Sequence, residues 1–477
     1  MKITVIRKAA WIIAYDENTQ SHTYLNDEDV VFQDNKFNQV GGTYSGAFDV
    51  EIDGSDKMIM PGLIDIHSHP TSEPGNKGLL EELGSARLGQ SSLYEFMPVF
   101  RLPSEAAASA TKMAMSEMLQ SGVTTIVDMS GARDGWADLL ADTGIRAVLC
   151  PMYRSAAWGT KNGFSVEYTW DEKAGEKAMD YALKTVDEAR THPSGRLDGM
   201  LAPSQIDTCT EGLLKESLVE AKNRNMRVQL HAAQSVIEFE VIMRRFGRTP
   251  IEYLDHIGLL GPDLIIGHGI FLNDHPMLHW PEANDFELLA GSGAYVAHCP
   301  TIFSRRGIAL NTMRRYAKAG IKLGIGTDSF PHNQIEEMRH ACLMSRVNSR
   351  TFTGGSTQDA FNAATLWGAQ AIGRDDIGCI KVGNKADFSI VNTKHPLMRP
   401  LREPLRSLIY TAAERAIDDV YVDGNCVVKN GKALNIDVDA ALDVLEAHQK
   451  QTVATVSERD WASREIEDMS PMVYPVS

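Results

Sequence analysis

The stretch from Met60 to Pro70 reads M-P-G-L-I-D-I-H-S-H-P and ends in two histidines with one residue between them. Side chains two residues apart on a β-strand point to the same face, so His67 and His69 can direct both imidazoles into one cavity. Imidazole is a common ligand of zinc and related metals. The stretch therefore indicates a metal site, with two surface histidines beside a proline turn as the alternative.

Three later segments repeat this pattern of an apolar run that ends in a ligand or acid–base side chain. The side chains at the ends of these runs are His231, His268 and Asp328. In a barrel of parallel strands the catalytic groups come from the C-terminal ends of several strands. Such a barrel would gather these three residues and the first two histidines at one rim.

The pattern of strands and helices divides the chain into four parts. Residues 1–59 consist of short predicted strands, and residues 376–435 return to β character. Between them, residues 60–375 alternate strands with amphipathic helices, which is typical of parallel β/α units. Residues 436–477 are predicted to form a helix and a polar tail. A (β/α)8 barrel takes about 250 residues or more, so the middle part is long enough for the eight predicted strands.

Composition restricts the partners and the compartment. The chain of 477 residues has 47 Lys and Arg against 63 Asp and Glu, a net charge of −16, with no basic block. We therefore expect a small-molecule substrate and neither nucleic acid nor a membrane as a partner. Six scattered cysteines without C-x-x-C spacing, and an N-terminus without a signal-like apolar core, favour the cytoplasm. We also expect a homo-oligomer.

Four motifs together resemble the amidohydrolase superfamily: P-G-L-I-D-I-H-S-H, V-Q-L-H, I-G-H-G and G-T-D-S. The resemblance is to its mononuclear-metal branch of chlorohydrolases and cytosine, adenosine and guanine deaminases. Gly378 to Asp387 is similar to the G-x-x-x-x-G-x-x-A-D segment that closes many barrels of this superfamily. The resemblance implies an α/β fold, a (β/α)8 TIM-like barrel with a small β-sandwich domain built from both chain ends.

The resemblance also implies a metal centre. Its ligands would be His67, His69, His231 and Asp328. Asp328 would also accept a proton from the attacking water, and His268 would face the substrate oxygen where negative charge develops. A role for His268 as an extra ligand, or as a partner of a ligand, stays open. The predicted fourth strand lacks the lysine that bridges two metals in some members, so we expect one divalent ion per subunit. Zinc or iron is favoured over cobalt or manganese.

One departure from the motifs of this branch bears on the substrate. Its deaminases show H-x-x-E after the fifth strand, where the glutamate moves a proton to a ring nitrogen. Gln234 occupies that position here, and an amide cannot carry the proton. The alternative reading of Gln234 is a solvated residue at a helix start. Gln234 is itself a predicted substrate contact, and the other predicted contacts are His298, Phe303, Tyr94, Phe96 and Trp158.

These residues predict a metal-dependent hydrolase that cleaves a C–N bond, not a peptide bond, with metal-activated water. The preferred substrate is a small, fairly apolar amide, carbamate or urea, because attack on a carbonyl needs no glutamate at position 234. In this respect the chain is similar to the molinate and phenylurea hydrolases, which suggests xenobiotic degradation. The alternative is an aminohydrolase or dechlorinating enzyme acting on a purine, pterin or triazine ring.

Overall fold

The computed structural model describes residues 2–71, 73–278 and 280–475. Eight parallel strands in this part of the chain form two four-stranded sheets, in which spatial order follows chain order. One sheet contains Leu63–Ser68, Val123–Asp128, Arg146–Leu149 and Leu197–Gly199, and the other contains Val228–Ala232, Leu264–His268, Tyr295–His298 and Leu323–Ile325. Isolated parallel bridges join the sheets at both edges, between Leu201 and Val228 and between Ser68 and Asp328. We refer to these strands as the first to the eighth parallel strand.

Both faces of these strands are buried, which explains their nearly continuous apolar sequences. Side chains on one face form a cluster that includes Ile64, Val127 and Ile265. The opposite face packs with the surrounding helices in a larger cluster that includes Leu63, Ile126 and Leu230. The predicted metal-binding and catalytic residues lie at the ends of these strands or just beyond them.

Helices follow most of the parallel strands, as the alternating pattern predicts. Their bounds are Ala107–Gln120, Trp136–Thr143, Glu172–Arg190, Glu211–Asn223, Val236–Phe246, Pro250–His256, Asp285–Ser292, Pro300–Ser304, Met313–Lys318, Gln334–Ser349, Thr357–Ala363, Leu366–Ala371, Pro404–Ser407, Val438–Ala454 and Ile466–Met469. Ser235 caps the helix that follows the fifth strand, accepting a hydrogen bond from the Glu238 N–H. Within the described ranges, no helix combines the length and apolar character needed to cross a bilayer.

The fourth parallel strand differs from the sequence expectation. The apolar run Met200 to Ala202 predicts this strand, but the strand that pairs with Arg146–Leu149 is Leu197–Gly199. Ala202–Pro203 pairs separately with Met152–Tyr153. A short apolar run does not define its own register, because hydrogen-bonded neighbours decide which of its residues continue the sheet.

Strands from the two chain ends meet in a seven-stranded sheet. Its order is Lys432–Ala433, Asn425–Lys429, Ile417–Val422, Phe388–Asn392, Lys57–Pro61, Trp11–Asp16 and Ser21–Leu25. A further sheet has the order Lys36–Val40, Glu28–Gln33, Ile3–Ala9 and Val50–Asp53. Apolar side chains of both sheets, such as Ile6, Phe32 and Phe388, share one buried cluster. The N-terminal and C-terminal β segments thus pair within one sheet, through Lys57–Pro61 and Phe388–Asn392.

A buried ion cluster, which we call the junction, connects the third parallel strand to the C-terminal β segment. The Arg146 Nε lies 2.8 Å from Asp387 Oδ2, and its Nη2 lies 3.2 Å from Asp423 Oδ1. The Arg146 side chain is only 2% exposed. Because charges this deeply buried are tolerated only when paired, the junction fixes how the two parts of the chain sit against each other.

Candidate active site

The ends of the first, fifth, sixth and eighth strands bring five predicted residues together. The His67 ring centroid lies 5.1 Å from that of His69 and 4.8 Å from those of His231 and His268. Asp328 completes the group, with its Oδ1 3.2 Å from His69 Nε2 and 3.7 Å from His67 Nε2. The strand-end pattern in the sequence thus corresponds to one cluster in space.

Backbone carbonyls orient two of the histidines. The Nδ1 of His69 donates to the Met129 carbonyl at 2.7 Å, and the Nδ1 of His231 donates to the Ser204 carbonyl at 2.6 Å. Each ring therefore turns its Nε2 toward the centre, where the two Nε2 atoms lie 3.2 Å apart. A hydrogen bond at Nδ1 that leaves Nε2 available is the usual arrangement of a metal-binding imidazole.

His67 is the most deeply enclosed of the group. It is fully buried, and its Nε2 has no hydrogen-bond partner among the described residues. Two glycines make room for it: a Cβ on Gly267 would lie 2.9 Å from His67 Cε1, and a Cβ on Gly326 would lie 2.6 Å from His67 Cβ. Gly267 lies in the motif I-G-H-G, and Gly326 lies in G-I-G-T-D. Because neither residue has a side chain, the His67 side chain can pack against both.

Asp328 is held in place by the backbone of the first strand. Its N–H donates to the His67 carbonyl, and its own carbonyl accepts from the His69 N–H, both at 2.8 Å. The residue has a φ of 58°, a left-handed conformation that costs a non-glycine residue about 1 kcal/mol or more. The neighbouring Thr327 hydroxyl donates to Asp65 Oδ2 at 2.7 Å.

Asp65 is a site residue to which the sequence analysis gave no role. It is fully buried, and burial raises the pKa of its carboxyl to about 7. Its hydrogen bonds to the Thr327 hydroxyl and to the His67 N–H join the first strand to the loop that carries Asp328. The sequence did contain a signal for Asp65, because Asp65, His67 and His69 are spaced two residues apart, which is the spacing of side chains on one face of a strand.

Burial sets the charge state of the cluster. It lowers the pKa of His231 to about 3 and that of His268 to about 4, and it lowers the pKa of His67 well below its usual range. For Asp328, burial raises the carboxyl pKa, but the hydrogen bond from His69 and the nearby His268 ring outweigh it, so the pKa is lowered. The neutral imidazoles of His67, His231 and His268 thus lie near an ionised carboxylate, a donor set suited to a divalent cation.

The arrangement of unpaired atoms fits a metal. A proton on His69 Nε2 would satisfy His231 Nε2 and Asp328, but it would leave the His67 Nε2 without a partner. One cation can satisfy all four groups, since ligand atoms up to about 4 Å apart can share an ion with bonds of about 2.0–2.1 Å. The Cys299 Sγ also falls within 4.8 Å of ligand atoms of His67, His268 and Asp328.

The predicted substrate contacts separate into two groups around this cluster. The Phe303 ring lies 4.6 Å from that of His268 and lines a small cavity together with His298. The second group is Tyr94 and Trp158: the Tyr94 hydroxyl lies 2.7 Å from Ser235 Oγ, and its ring lies 5.4 Å from that of Trp158.

Gln234 and Phe96 are both buried, but they have different surroundings. Gln234 is 6% exposed, and its amide nitrogen has no hydrogen-bond partner in the described part of the chain. It is therefore not a solvated residue at a helix start. Phe96 packs instead in an apolar cluster with Phe100, Phe330 and Val456. Gln234 thus precedes Ser235, whose hydroxyl contacts that of Tyr94, whereas Phe96 packs in the apolar cluster that includes Phe330.

Comparison with known proteins supports this picture. A model described as the amidohydrolase family matches residues 58–427. The 5'-deoxyadenosine deaminase of Methanosphaera stadtmanae is 29% identical over 397 residues, covering 82% of this chain and 87% of that protein.

Two crystal structures are similar in fold. An adenosine deaminase from Xanthomonas campestris with bound zinc superposes with a TM-score of 0.80 at 22% identity, covering 94% of this chain and 98% of the other. The zinc complex of atrazine chlorohydrolase from Arthrobacter aurescens TC1 gives a TM-score of 0.78 at 20% identity, covering 94% and 100%. These likenesses imply a TIM-barrel domain. The chain belongs to the amidohydrolase family and is a hydrolase of carbon–nitrogen bonds other than peptide bonds.

Proposed function

We propose that this chain is an aminohydrolase that removes an amino group from a purine ring of the adenosine type. The observation that carries the proposal is the convergence of three neutral imidazoles and His69 on the ionised Asp328. The related sequences supply the substrate class, because they include deaminases of 5'-deoxyadenosine and of 5-methylthioadenosine and S-adenosylhomocysteine. The proposed function is the one that the sequence analysis gave as its alternative.

In this proposal one divalent cation, with zinc favoured, is held by His67, His69, His231 and Asp328. Such an ion lowers the pKa of a bound water from 15.7 to about 7. Asp328, held ionised, would accept one proton of the attacking water and return it to the leaving nitrogen, so that ammonia departs, while the second proton would reach the ring nitrogen through solvent, since the Gln234 amide carries none. His268 lies 3.8 Å from Asp328 Oδ2 and stabilises charge on the attacked ring.

We further propose that the two parallel sheets form a single (β/α)8 barrel over about residues 60–375, with a β-sandwich domain made from residues 1–59 and 376–435. The bridges at both sheet edges and the shared cluster of the β segments support this division. Residues 436–477 add a helix and a tail. A homo-oligomer in the cytoplasm stays a prediction.

Gln234 favours a second candidate, hydrolysis of an amide, carbamate or urea. Its amide nitrogen is buried without a partner among the described residues, so it can donate a hydrogen bond to a substrate acceptor. It cannot supply a proton to a ring nitrogen. A carbonyl substrate would need only the hydrogen bond.

A substrate panel separates the candidates. Zinc-loaded protein is incubated with adenosine, 5'-deoxyadenosine, 5'-methylthioadenosine, a chlorinated triazine, an anilide and a phenylurea, and ammonia, chloride and amine release are measured. Ammonia from the adenosines, absent in the Asp328→Asn variant, supports the proposal. Amine release from the anilide or phenylurea, with no ammonia from any adenosine, overturns it in favour of the second candidate.

The Gln234→Glu variant sharpens this test. If the natural reaction is ring deamination, restoring an acid at this position should raise kcat for adenosines or leave it unchanged. If the natural reaction is amide or urea hydrolysis, the variant should lose activity on that substrate, because a buried carboxylate replaces a neutral hydrogen-bond donor. Gln229→Glu and Gln205→Glu are unsuitable controls, because the Gln229 amide lies 3.3 Å from His67 Nδ1 and Gln205 is bridged to His231, so Gln451→Glu at an exposed position serves instead.

A further inference from the structure

Residues 455–470, which we call the C-terminal segment, lie against residues 91–102, which we call the cover loop. The Arg459 Nε donates to the Val99 carbonyl at 2.7 Å. Val456 and Met469 pack in the same apolar cluster as Phe96, Val99 and Phe100 of the cover loop. The cover loop is therefore held from one side by the last part of the described chain.

Glu95 is the centre of this contact. Its Oε1 accepts hydrogen bonds from Arg464 Nη2 at 2.8 Å and from Trp461 Nε1 at 3.1 Å. The Glu95 side chain is 6% exposed, whereas that of Arg464 is 28% exposed. A carboxylate this deeply buried needs its partners, since removing one of them leaves a charge that water does not reach. Arg464 also bonds to Asp460, which keeps the guanidinium in position.

The residue before Glu95 contacts the opposite side. Tyr94 is 1% exposed, and its hydroxyl lies 2.7 Å from the Oγ of Ser235, the residue that follows Gln234. Its ring lies 5.4 Å from that of Trp158. Two consecutive side chains of the cover loop thus have different partners, one in the C-terminal segment and one beside the candidate active site.

The C-terminal segment also contacts the loop of the hairpin that carries Trp158. This loop connects the strand Ala156–Gly159, which contains Trp158, to its partner Glu167–Trp170. A Cβ on Gly163 would lie 3.0 Å from Trp461 Cζ2 and 3.7 Å from Glu95 Oε1. Only a residue without a side chain fits there without a shift, so Trp461 and Glu95 pack directly on the turn of this loop.

We propose that the C-terminal segment is a latch that sets the position of the substrate pocket wall. Arg464 and Trp461 are positioning residues: they hold Glu95, and Glu95 fixes the backbone that places Tyr94 against Ser235 and Trp158. The proposal rests on the proposed function for the reaction whose KM is measured, and on the predicted role of Tyr94 and Trp158 as substrate contacts. The latch acts on substrate binding and not on the chemical step, because none of its residues reaches the metal-binding side chains.

A double-mutant cycle on full-length, zinc-loaded protein tests the latch. Arg464→Ala should raise KM about tenfold, the equivalent of one hydrogen bond to a charged group, with kcat changed less than about twofold. Tyr94→Phe should also raise KM, and adding Arg464→Ala to it should raise KM little further, because both changes act through Tyr94. Arg464→Lys should recover most of the lost affinity. Glu467→Ala, an exposed change in the same segment, is the matched control.

In the KM measurements, two results would overturn the proposal: fully additive effects on KM, or a lower melting temperature for Arg464→Ala with an unchanged KM. The second result would mean that the segment only stabilises the fold. Hydrogen exchange of the cover-loop peptide provides a readout that needs no substrate. Exchange should be faster in Arg464→Ala and unchanged in Glu467→Ala, and equal exchange in both overturns the latch.

The two proposals fail in different ways. If the panel shows no ammonia release from any adenosine, the proposed function fails, and the KM cycle is run with whichever panel compound is hydrolysed. If adenosines are deaminated but the exchange and KM results are negative, only the latch fails.

Discussion

Two buried polar clusters in this chain differ in how many of their polar atoms have hydrogen-bond partners. At the junction, the guanidinium of Arg146 lies between the carboxylates of Asp387 and Asp423, and Asp387 also accepts from the Asp423 N–H at 2.6 Å. Only the Arg146 Nη1 lacks a partner among the described residues. At the candidate active site, nitrogens of His67, His268 and His298 all lack one within the same part of the chain.

The pKa shifts follow the same division. For Arg146, burial lowers the pKa, but Asp387 and Asp423 more than offset it, so the pKa is raised and the charged form is favoured. At the site, burial lowers the pKa values of the histidines and keeps them neutral. Buried polar groups are normally hydrogen-bonded, and the exceptions need an explanation. The junction pairs its charges within the chain, whereas the unpaired nitrogens of the site fit the proposed metal.

The largest expected effect comes from breaking the site. His67→Ala or Asp328→Asn should lower kcat/KM about a thousandfold or more, because each removes a metal ligand and Asp328 also moves the proton. The fold should survive, since the site contributes few internal hydrogen bonds. Activity assays, metal analysis and circular dichroism check this prediction. Full activity in either variant would contradict the site assignment.

Breaking the junction should have the opposite outcome. Arg146→Met should lower the free energy of unfolding by about 3–5 kcal/mol, because Asp387 is left as an uncompensated buried charge. The kcat of the protein that remains folded should change little. Denaturant unfolding measures the first quantity, and Lys184→Met, at a 69% exposed side chain, is the control. A large loss of kcat with normal stability would show that the two clusters are not independent.

Removing the metal sharpens the contrast. A chelator should lower the free energy of unfolding by about 3 kcal/mol relative to protein with free zinc at a hundred times its dissociation constant. The effect should persist in Arg146→Met and disappear in His67→Ala. Thermal unfolding with and without zinc makes the comparison. Equal responses of both variants to zinc would place the ion somewhere other than among the histidines.

The smallest expected effect concerns pH and the junction. Burial raises the pKa of Asp423, but Arg146 and Lys385 outweigh it, so the folded pKa lies below the unfolded value of 3.8. Ionised Asp423 therefore stabilises the fold above pH 3.8, and this contribution is lost as the pH falls through the folded pKa. Wild type should melt higher than Asp423→Asn near neutral pH, and the difference should shrink below pH 4. A constant difference would mean that the charge of Asp423 does not matter.

Much of the candidate site was predictable because its residue types and spacing are local properties. His67 and His69 alternate on one strand, and His231, His268 and Asp328 each end an apolar run. The Met129 and Ser204 carbonyls that orient His69 and His231 were not predictable, because a backbone acceptor has no residue signature. The packing of Phe96 against Phe330 and Val456 was not predictable either, since a loop has no periodicity that distinguishes its faces.

The sequence by itself determined the order of strands and helices and the five side chains at the strand ends, because periodicity and residue chemistry are encoded locally. The tertiary structure decided which partners those side chains receive. Arg146 meets Asp387 from 241 positions away, and Trp461 meets Glu95 from 366 positions away. Contacts over such separations depend on how the whole chain packs, and no short segment of sequence records them.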